Sequence, residues 1–293
     1  MDAEKGSISG TTKVFAVFGE SVTHSMSPAM HNASFAALGL DCVFIGLSAA
    51  QSDFDDAMRG MRALSVCGLA VILPYKVPVM DYCTDLDRKA QLVGAVNTVH
   101  FREDGSVGGY NTDAEGAAKS LRDAGVEVAG RRIVILGAGG ATRAVAFQMA
   151  LDGAARIVIA NRTVPKAEKL AEDIVSSGSA QAQVIPMGIE RESLRGELAD
   201  ADVIINTTSV GLHPEVDQTL VTADMIPPDS AVFDIVYNPI ETKLLREAGQ
   251  AGARTITGDT MLVNQAVEQE RIWLGVDADA AIMRAAILDR LAT

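Results

Sequence analysis

Hydrophobic residues in this chain gather into short continuous runs, separated by longer stretches in which they recur at helical spacing. In the first third, VFAVFG (14–19), CVFIGL (42–47), GLAVIL (68–73) and AVNTVHF (95–101) read as strands, with helices over 28–38, 51–63 and 78–91 between them. That alternation is the signature of a parallel α/β sheet. REDG (102–105) separates AVNTVHF from SVGGYN, and its Asp-Gly pair predicts a hairpin turn. Segment 113–124 reads as a helix stopped by Gly125. A second α/β run opens at Arg131, with strands RIVILG (132–137), RIVIAN (156–161), AQVIPM (182–187), DVIINT (202–207) and AVFDIV (231–236). These runs are apolar without alternation, as expected of strands covered by helices on both faces. After Gly258 the pattern is helical to the end, over 260–275 and 277–291. Those helices need a partner surface, and the first domain is the expected one. No internal repeat is visible.

Composition narrows the class. The 293 residues suffice for two domains with their own cores. No stretch approaches the roughly 20 uninterrupted apolar residues of a membrane span. The opening, MDAEKGSISGTTK, is polar, reads as loose, and lacks the apolar core of an export signal. A net charge of −13 argues against nucleic acid and anionic membrane surfaces as partners. Cys42, Cys67 and Cys83 are an odd set in apolar surroundings, which suits small core residues in a reducing cytoplasm. The histidines, at 24, 31, 100 and 213, have no metal-ligand spacing, so no metal is expected.

VILGAGGATRAVAFQMA (134–150) reads as strand, glycine turn and helix. Gly137 permits the tight turn, Gly139 lets backbone approach a pyrophosphate, and the helix opening near Gly140 offers N–H groups to that anion. Thr142 stands where the usual fingerprint has its third glycine. An NAD binder carries an acidic residue roughly 20 residues on, for the ribose 2′-hydroxyl. Here Asn161-Arg162-Thr163 and Lys166 stand instead, two cations where a 2′-phosphate would lie. The expected cofactor is NADP.

In GESVTHSMSPAMHN (19–32), Ser25 and Ser27 precede or open a helix begun by Pro28. Taken alone, Ser27 reads first as a helix cap and only second as one of two hydroxyls holding a carboxylate. Lys76 follows the greasy run GLAVILPYK (68–76), at the strand edge where ligands of open α/β sheets sit. Asp113 opens a helix, as a cap or as a functional carboxylate. Asn97 lies among apolar neighbours and wants partners for its amide.

Taken in order, HSMSPAMHN, PYK, GAVNTV, YNTDAEG, GAGGATRA, NRTVPKAEKLA, NTTSVGL, DIVYNPIETKLL and MLVNQA, spread over residues 24–266, resemble the shikimate dehydrogenase family. The resemblance implies a two-domain α/β fold. An α/β substrate domain over 1–112 is completed by 259–293, and a Rossmann-type NADP domain occupies 113–258. It implies reversible NADP-dependent reduction of 3-dehydroshikimate to shikimate, in the cytoplasm, by a monomer or homodimer acting on a small cyclic hydroxy acid. By motif match, Lys76 and Asp113 are the catalytic pair. Ser25, Ser27, Asn97, Tyr237 and Gln265 bind substrate. Gly137, Ala138, Gly139, Gly140, Ala141, Asn161, Arg162, Thr163, Lys166, Thr208, Ser209 and Gly258 bind the cofactor. Removing hydride from an alcohol carbon also requires a base for the hydroxyl proton, which gives Lys76 a task.

One strand departs from the family pattern G-x-N-V-T-x-P-x-K: Ala70 replaces the asparagine and Ile72 the substrate-binding threonine. Strand residues two apart share a face, so both losses fall together at the substrate side. A ring hydroxyl left unpaired there costs about 1–3 kcal/mol. The alternative reading is therefore a paralogue acting on quinate or another ring-hydroxylated acid; a second is a non-catalytic ligand-binding homologue.

Overall fold

The computed structural model describes residues 8–178 and 181–291. The chain forms two compact units. One takes the chain up to Thr112 and resumes at Val263; the other is Asp113–Leu262.

The first unit opens with β1 (Lys13–Gly19), α1 (Ser27–Leu38), β2 (Cys42–Ser48), α2 (Phe54–Ala63) and β3 (Gly68–Val71). β4 (Asp85–Leu86), α3 (Arg88–Val93), β5 (Thr98–Phe101) and β6 (Val107–Tyr110) follow. The sheet order is β2-β1-β3-β5-β6-β4. β1 runs parallel to β2 and β3, whereas β5 is antiparallel to both β3 and β6. The sheet is thus mixed, not wholly parallel. The predicted Asp104-Gly105 turn is the reason: a hairpin this short can only return the chain antiparallel, and Gly105 takes φ +84° to do so.

The helix expected over 78–91 breaks into a 3-10 turn at Pro78–Tyr82, β4 and α3. β4 pairs with Gly108 and Gly109, and a side chain on Gly109 would meet Cys83 Sγ at 2.6 Å. The bare backbone there draws the chain into the sheet, and Asp87 then caps α3 by accepting from Ala90 N (2.7 Å). β3 stops at Val71, two residues short of the expected end, where Tyr75 N closes a turn onto Ile72 O. Residues 1–7 of the opening read as loose lie outside the described residues. Thr11 and Thr12 are tied down, their hydroxyls donating to Asp41 Oδ2 and Oδ1 at 2.8 and 2.6 Å. The three cysteines are unbonded to one another and half-buried.

The second unit begins at Asp113, the second residue of α4 (Thr112–Asp123). It continues with β7 (Arg132–Leu136), α5 (Gly140–Leu151), β8 (Arg156–Ala160), α6 (Val164–Ser176) and β9 (Gln183–Met187). α7 (Arg191–Leu198), β10 (Val203–Asn206), β11 (Ala231–Asp234), α8 (Lys243–Ala251) and β12 (Arg254–Ile256) complete it. All its strands are parallel in the order β12-β11-β10-β7-β8-β9, the order of doubly wound dinucleotide-binding sheets.

α9 (Gly258–Leu274) carries the chain back to the first unit, and α10 (Ala280–Leu291) packs there on α1. No described helix is long and apolar enough to cross a membrane. Alternation divides the first core between the two sheet faces. Ala16, Phe18, Leu69 and Val71 meet Phe54, Met58 and Met61 of α2 on one side. On the other, Phe15, Val17 and Ala70 meet Phe35, Phe44 and Trp273.

Trp273, the chain's single tryptophan, donates from Nε1 to Val99 O at 2.9 Å. Its indole fills the space beside Gly68, where an added Cβ would stand 2.5 Å from Nε1. Gly68→Ala should therefore destabilise the fold by about 1–3 kcal/mol through overpacking, and shift tryptophan emission. Gly60→Ala in α2, where a Cβ meets nothing within 4 Å, should be neutral or stabilising by up to about 1 kcal/mol. Denaturant unfolding of both variants checks this; equal stability for the two would refute the close fit at Gly68.

Candidate active site

In the first unit, the turn before α1 is closed by Ser25, whose Oγ accepts from Ser27 N at 3.2 Å. Ser27 is the first helical residue and buried, and the residue at the cap position makes no side-chain capping bond. The cap reading of Ser27 is thus corrected: Met26 occupies that position, and Pro28 supplies the preset helical backbone.

Lys76 lies half-buried in the turn after β3. Its carbonyl accepts from Val96 N (2.7 Å), and neighbouring Tyr75 is buried, its hydroxyl donating to Ala49 O (2.6 Å). Leu73 and Val77, on either side of this turn, are largely exposed. Ala70 sits in the apolar cluster with Phe15 and Trp273; Ile72, half-buried, packs at its margin over Gly19, where a methyl group would strike its side chain. The two departures share a face, as alternation requires.

Asn97 is buried just before β5. Its Oδ1 accepts from Thr112 N (2.8 Å) and Thr98 Oγ1 (2.9 Å), and its Nδ2 donates to Thr112 Oγ1 (3.0 Å). Thr112 Oγ1 in turn donates to Gln265 Oε1 of α9 (3.3 Å). Asn97 and Gln265 are thus brought together through Thr112, a residue the sequence reading passed over. The other unforeseen members are Thr98, Gln269, His31, Glu270 and Ser34, all buried polar groups. The available signal was polar residues at spacing four in α9, where Gln265, Gln269 and Trp273 fall on one face.

In the second unit, Asp113 occupies the first turn of α4. Gly137 takes φ +119°, and a side chain there would stand 2.7 Å from Thr207 Oγ1, so the turn after β7 demands glycine. Gly139 is the opposite case: a Cβ would meet nothing within 4 Å, leaving open space over the backbone. Ala138, Gly140 and Ala141 complete the turn into α5. Thr142, in place of the third glycine, is buried and structural: its Oγ1 accepts from Gly139 N (2.9 Å) and donates to Thr207 Oγ1 (2.7 Å).

Beyond β8, Asn161 Nδ2 donates to Thr163 O (2.9 Å), shaping the turn that opens α6. Arg162 and Lys166 are exposed and make no ion pair among the described residues. An open glycine turn with two uncommitted cations and no carboxylate at the end of β8 fits a dinucleotide with a 2′-phosphate.

Asn206 and Asp234, also unforeseen, organise the loops after β10 and β11. Asn206 Oδ1 accepts from Thr208 N and Oγ1 (3.1 and 2.7 Å), presenting Ser209 at the surface. Asp234 is fully buried; it accepts from Asn206 Nδ2, Thr242 Oγ1 and Val236 N. Burial pushes its carboxyl up, opposed by those three hydrogen bonds. Tyr237 follows, half-buried, its phenol also pushed up by burial. Gly258 opens α9 where a Cβ would stand 2.5 Å from the Ile235 carbonyl and Val236 O, so only glycine fits. Among the described residues no cluster of His, Cys, Asp and Glu is arranged to hold a metal.

Three family models match in sequence order. These are the shikimate dehydrogenase substrate binding domain over residues 17–99, shikimate / quinate 5-dehydrogenase over 117–243, and the shikimate 5'-dehydrogenase C-terminal domain over 260–288. The NADP(+) shikimate dehydrogenase of Methanosarcina barkeri is 44% identical over 280 residues, 95% of this chain and 99% of that one. A crystal structure of a shikimate dehydrogenase in complex with NADP+ superposes with a TM-score of 0.92 at 38% identity, covering 99% of this chain and 100% of the other. Quinate dehydrogenase from Corynebacterium glutamicum, in complex with NAD, gives 0.87 at 29% identity, with 95% and 99% covered. The three matches follow one another along the chain and the relatives are matched over nearly their full length, and this chain belongs to the shikimate dehydrogenase family.

Proposed function

We propose that this chain catalyses reversible NADP-dependent interconversion of 3-dehydroshikimate and shikimate. The observation that carries the reading is the amide pair Asn97–Gln265, braced by Thr112 in the same unit as Lys76 and the two serines. The first unit is then the substrate domain, and Asp113–Leu262 the NADP domain. Ser25 and Ser27 are assigned to the substrate carboxylate, with Tyr237 contributing a phenol. Asn97 and Gln265 are assigned to ring hydroxyls, whose loss of water is offset only if each finds a partner.

When bound, NADP supplies or accepts the hydride; the protein supplies position and proton transfer. Gly137, Ala138, Gly139, Gly140 and Ala141 would hold its pyrophosphate. Asn161, Arg162, Thr163 and Lys166 would hold the adenosine 2′-phosphate, and Thr208, Ser209 and Gly258 line the remaining backbone turns. Lys76 takes the hydroxyl proton as the alcohol is oxidised and returns it on reduction, with Asp113 as its acidic partner on the reacting hydroxyls. Three free, half-buried thiols accord with a reducing cytoplasm, and the working species is read as a monomer or homodimer.

A second reading, a quinate-type paralogue, draws on Ile72, an alkyl side chain where the family pattern has a hydroxyl. Assay of the purified chain with NADP against shikimate and quinate, following reduced nicotinamide absorbance, separates the two readings. Turnover on neither acid would overturn both.

Lys76→Ala should lower kcat on shikimate about 10²–10⁴-fold while weakening substrate binding much less. Near-normal turnover would remove Lys76 from proton transfer. Arg162→Ala should raise KM for NADP about 10–100-fold, the worth of a charge-assisted hydrogen bond, and leave NAD kinetics nearly unchanged. Equal losses with both cofactors would mean that Arg162 supports its loop and reads no charge.

Ile72→Thr restores a hydroxyl at the margin of the apolar cluster. Its regained hydrogen bond, about 0.5–1.5 kcal/mol, should raise kcat/KM for shikimate about 2–13-fold, mostly through KM. Paired kinetics of both forms on shikimate and quinate measure it. No change on either acid would confine Ile72 to packing over Gly19.

A further inference from the structure

A continuous chain of buried hydrogen bonds leads from α1 to the amides of Asn97 and Gln265. Ser34 Oγ donates to Glu270 Oε2 (2.7 Å), and Glu270 Oε1 is hydrogen-bonded to His31 Nδ1 (2.8 Å). His31 Nε2 donates to Gln269 Oε1 (3.2 Å), and Gln269 Nε2 donates to Thr98 Oγ1 (3.1 Å). Thr98 Oγ1 then donates to Asn97 Oδ1, Asn97 Nδ2 to Thr112 Oγ1, and Thr112 Oγ1 to Gln265 Oε1. Every member is buried, and His31 and Glu270 are wholly so.

Such a chain has a direction. A hydroxyl has one proton to give, and an amide has one donating and one accepting end. Because Gln269 turns Oε1 to His31, its Nε2 faces Thr98, whose proton is then sent on to Asn97 Oδ1. Asn97 Oδ1 is held by this proton together with the Thr112 N–H (2.8 Å), so Nδ2 faces Thr112 Oγ1, whose hydroxyl lies 3.3 Å from both Gln265 Oε1 and Asn97 Oδ1. Were Gln269 turned over, its Oε1 would take the Thr98 proton, and Asn97 would lose it. What holds Gln269 is an imidazole that cannot turn: it stacks on Phe44 (centroids 4.3 Å, planes 14°) and is gripped at Nδ1 by Glu270.

A buried His–Glu pair is poor value as a stability device, since packed apolar residues in its place are often as stable or more so. Its contribution is to directionality. We propose that Gln269, held by the His31–Glu270 pair, is a positioning residue for substrate: through Thr98 it supplies one of the two hydrogen bonds that hold Asn97 Oδ1, and so steadies the Asn97–Thr112–Gln265 group where it meets the ring hydroxyls. The proposal rests on the reading of Asn97 and Gln265 as hydroxyl-binding residues.

The test uses the full chain, with steady-state kinetics on shikimate and NADP and a shikimate titration of Trp273 fluorescence. Gln269→Met keeps the volume and removes both hydrogen bonds. It should raise KM and the fluorescence Kd for shikimate about tenfold, with KM for NADP within about twofold of the parent. Thr98→Val should behave alike, and Thr98→Ser, which keeps the hydroxyl, should return both constants to within about twofold of the parent. If Gln269→Met does not fold, the two Thr98 variants decide the matter alone. Shikimate and NADP constants rising together, or Thr98→Ser as impaired as Thr98→Val, would overturn the positioning role. Gln265→Ala separates the two layers. Lost shikimate affinity there, with none lost in Gln269→Met or Thr98→Val, overturns the positioning role only. Unchanged affinity in Gln265→Ala overturns the hydroxyl-binding reading and the proposal with it.

Discussion

A helix that buries two glutamines, a glutamate and a tryptophan N–H must find a partner for each, and this requirement governs the first unit. Gln265, Gln269 and Trp273 recur every four residues along α9, about 6 Å apart on one face. They meet Thr112, Thr98 and the Val99 carbonyl. Sliding the helix by one turn would set the Trp273 indole against Thr98 and leave the Val99 carbonyl without its donor, an unpaired buried group costing about 1–3 kcal/mol. Hydrophobic contact alone is non-directional and would tolerate such a slip. The polar face sets the register, and the register places Gln265 beside Asn97.

Much of the architecture was legible because burial on both faces leaves a plain trace. The five strand cores from RIVIL to AVFD needed no context, and the Asp-Gly hairpin was local chemistry. What could not be read had causes elsewhere in the chain. β4 exists because Gly108 and Gly109 expose a bare strand backbone some twenty residues later, so the helical pattern of 78–91 is overruled by pairing. β12 is a three-residue edge strand, too short for any periodicity to register. At the site, individual residues were named from their motifs, whereas their supports were not. Thr112, Thr98 and Gln269 make contact only when β5, the chain just after β6 and the later part of α9 converge within the first unit, and His31 looked like a histidine without ligand partners because its partner, Glu270, is distant in sequence.

The two units solve their ligand problems with different materials. In the second, the glycine turn assigned above to the dinucleotide is a matter of missing atoms: Gly137 because the turn bends through φ +119°, Gly139 because nothing stands over it. Thr142 shows that the third fingerprint position is open to another solution. Its hydroxyl closes the glycine turn onto Gly139 N and ties it to Thr207, so a side chain that fills the space also braces the turn. Asn206 and Asp234 do the same service for the loops after β10 and β11.

In the first unit the ligand problem is one of polarity. A ring hydroxyl both donates and accepts, so it fits many polar surfaces and distinguishes few of them. An amide whose ends are fixed is more exacting. Presented by its NH₂ end, it takes the hydroxyl as an acceptor and requires that the hydroxyl's own proton go elsewhere. For the hydroxyl to be oxidised, that is the condition the chemistry needs, because its proton must point toward a base before the hydride leaves. On the proposed assignment of Asn97 and Gln265, fixing amide ends would therefore do more than add affinity: it would select, among the ways a polyhydroxylated ring could lie, those in which protons are already directed. The Thr112 N–H holds Asn97 Oδ1 from one side, and the wholly buried His–Glu pair behind Gln269 adds a second support that comes from the packing of α1 against α9.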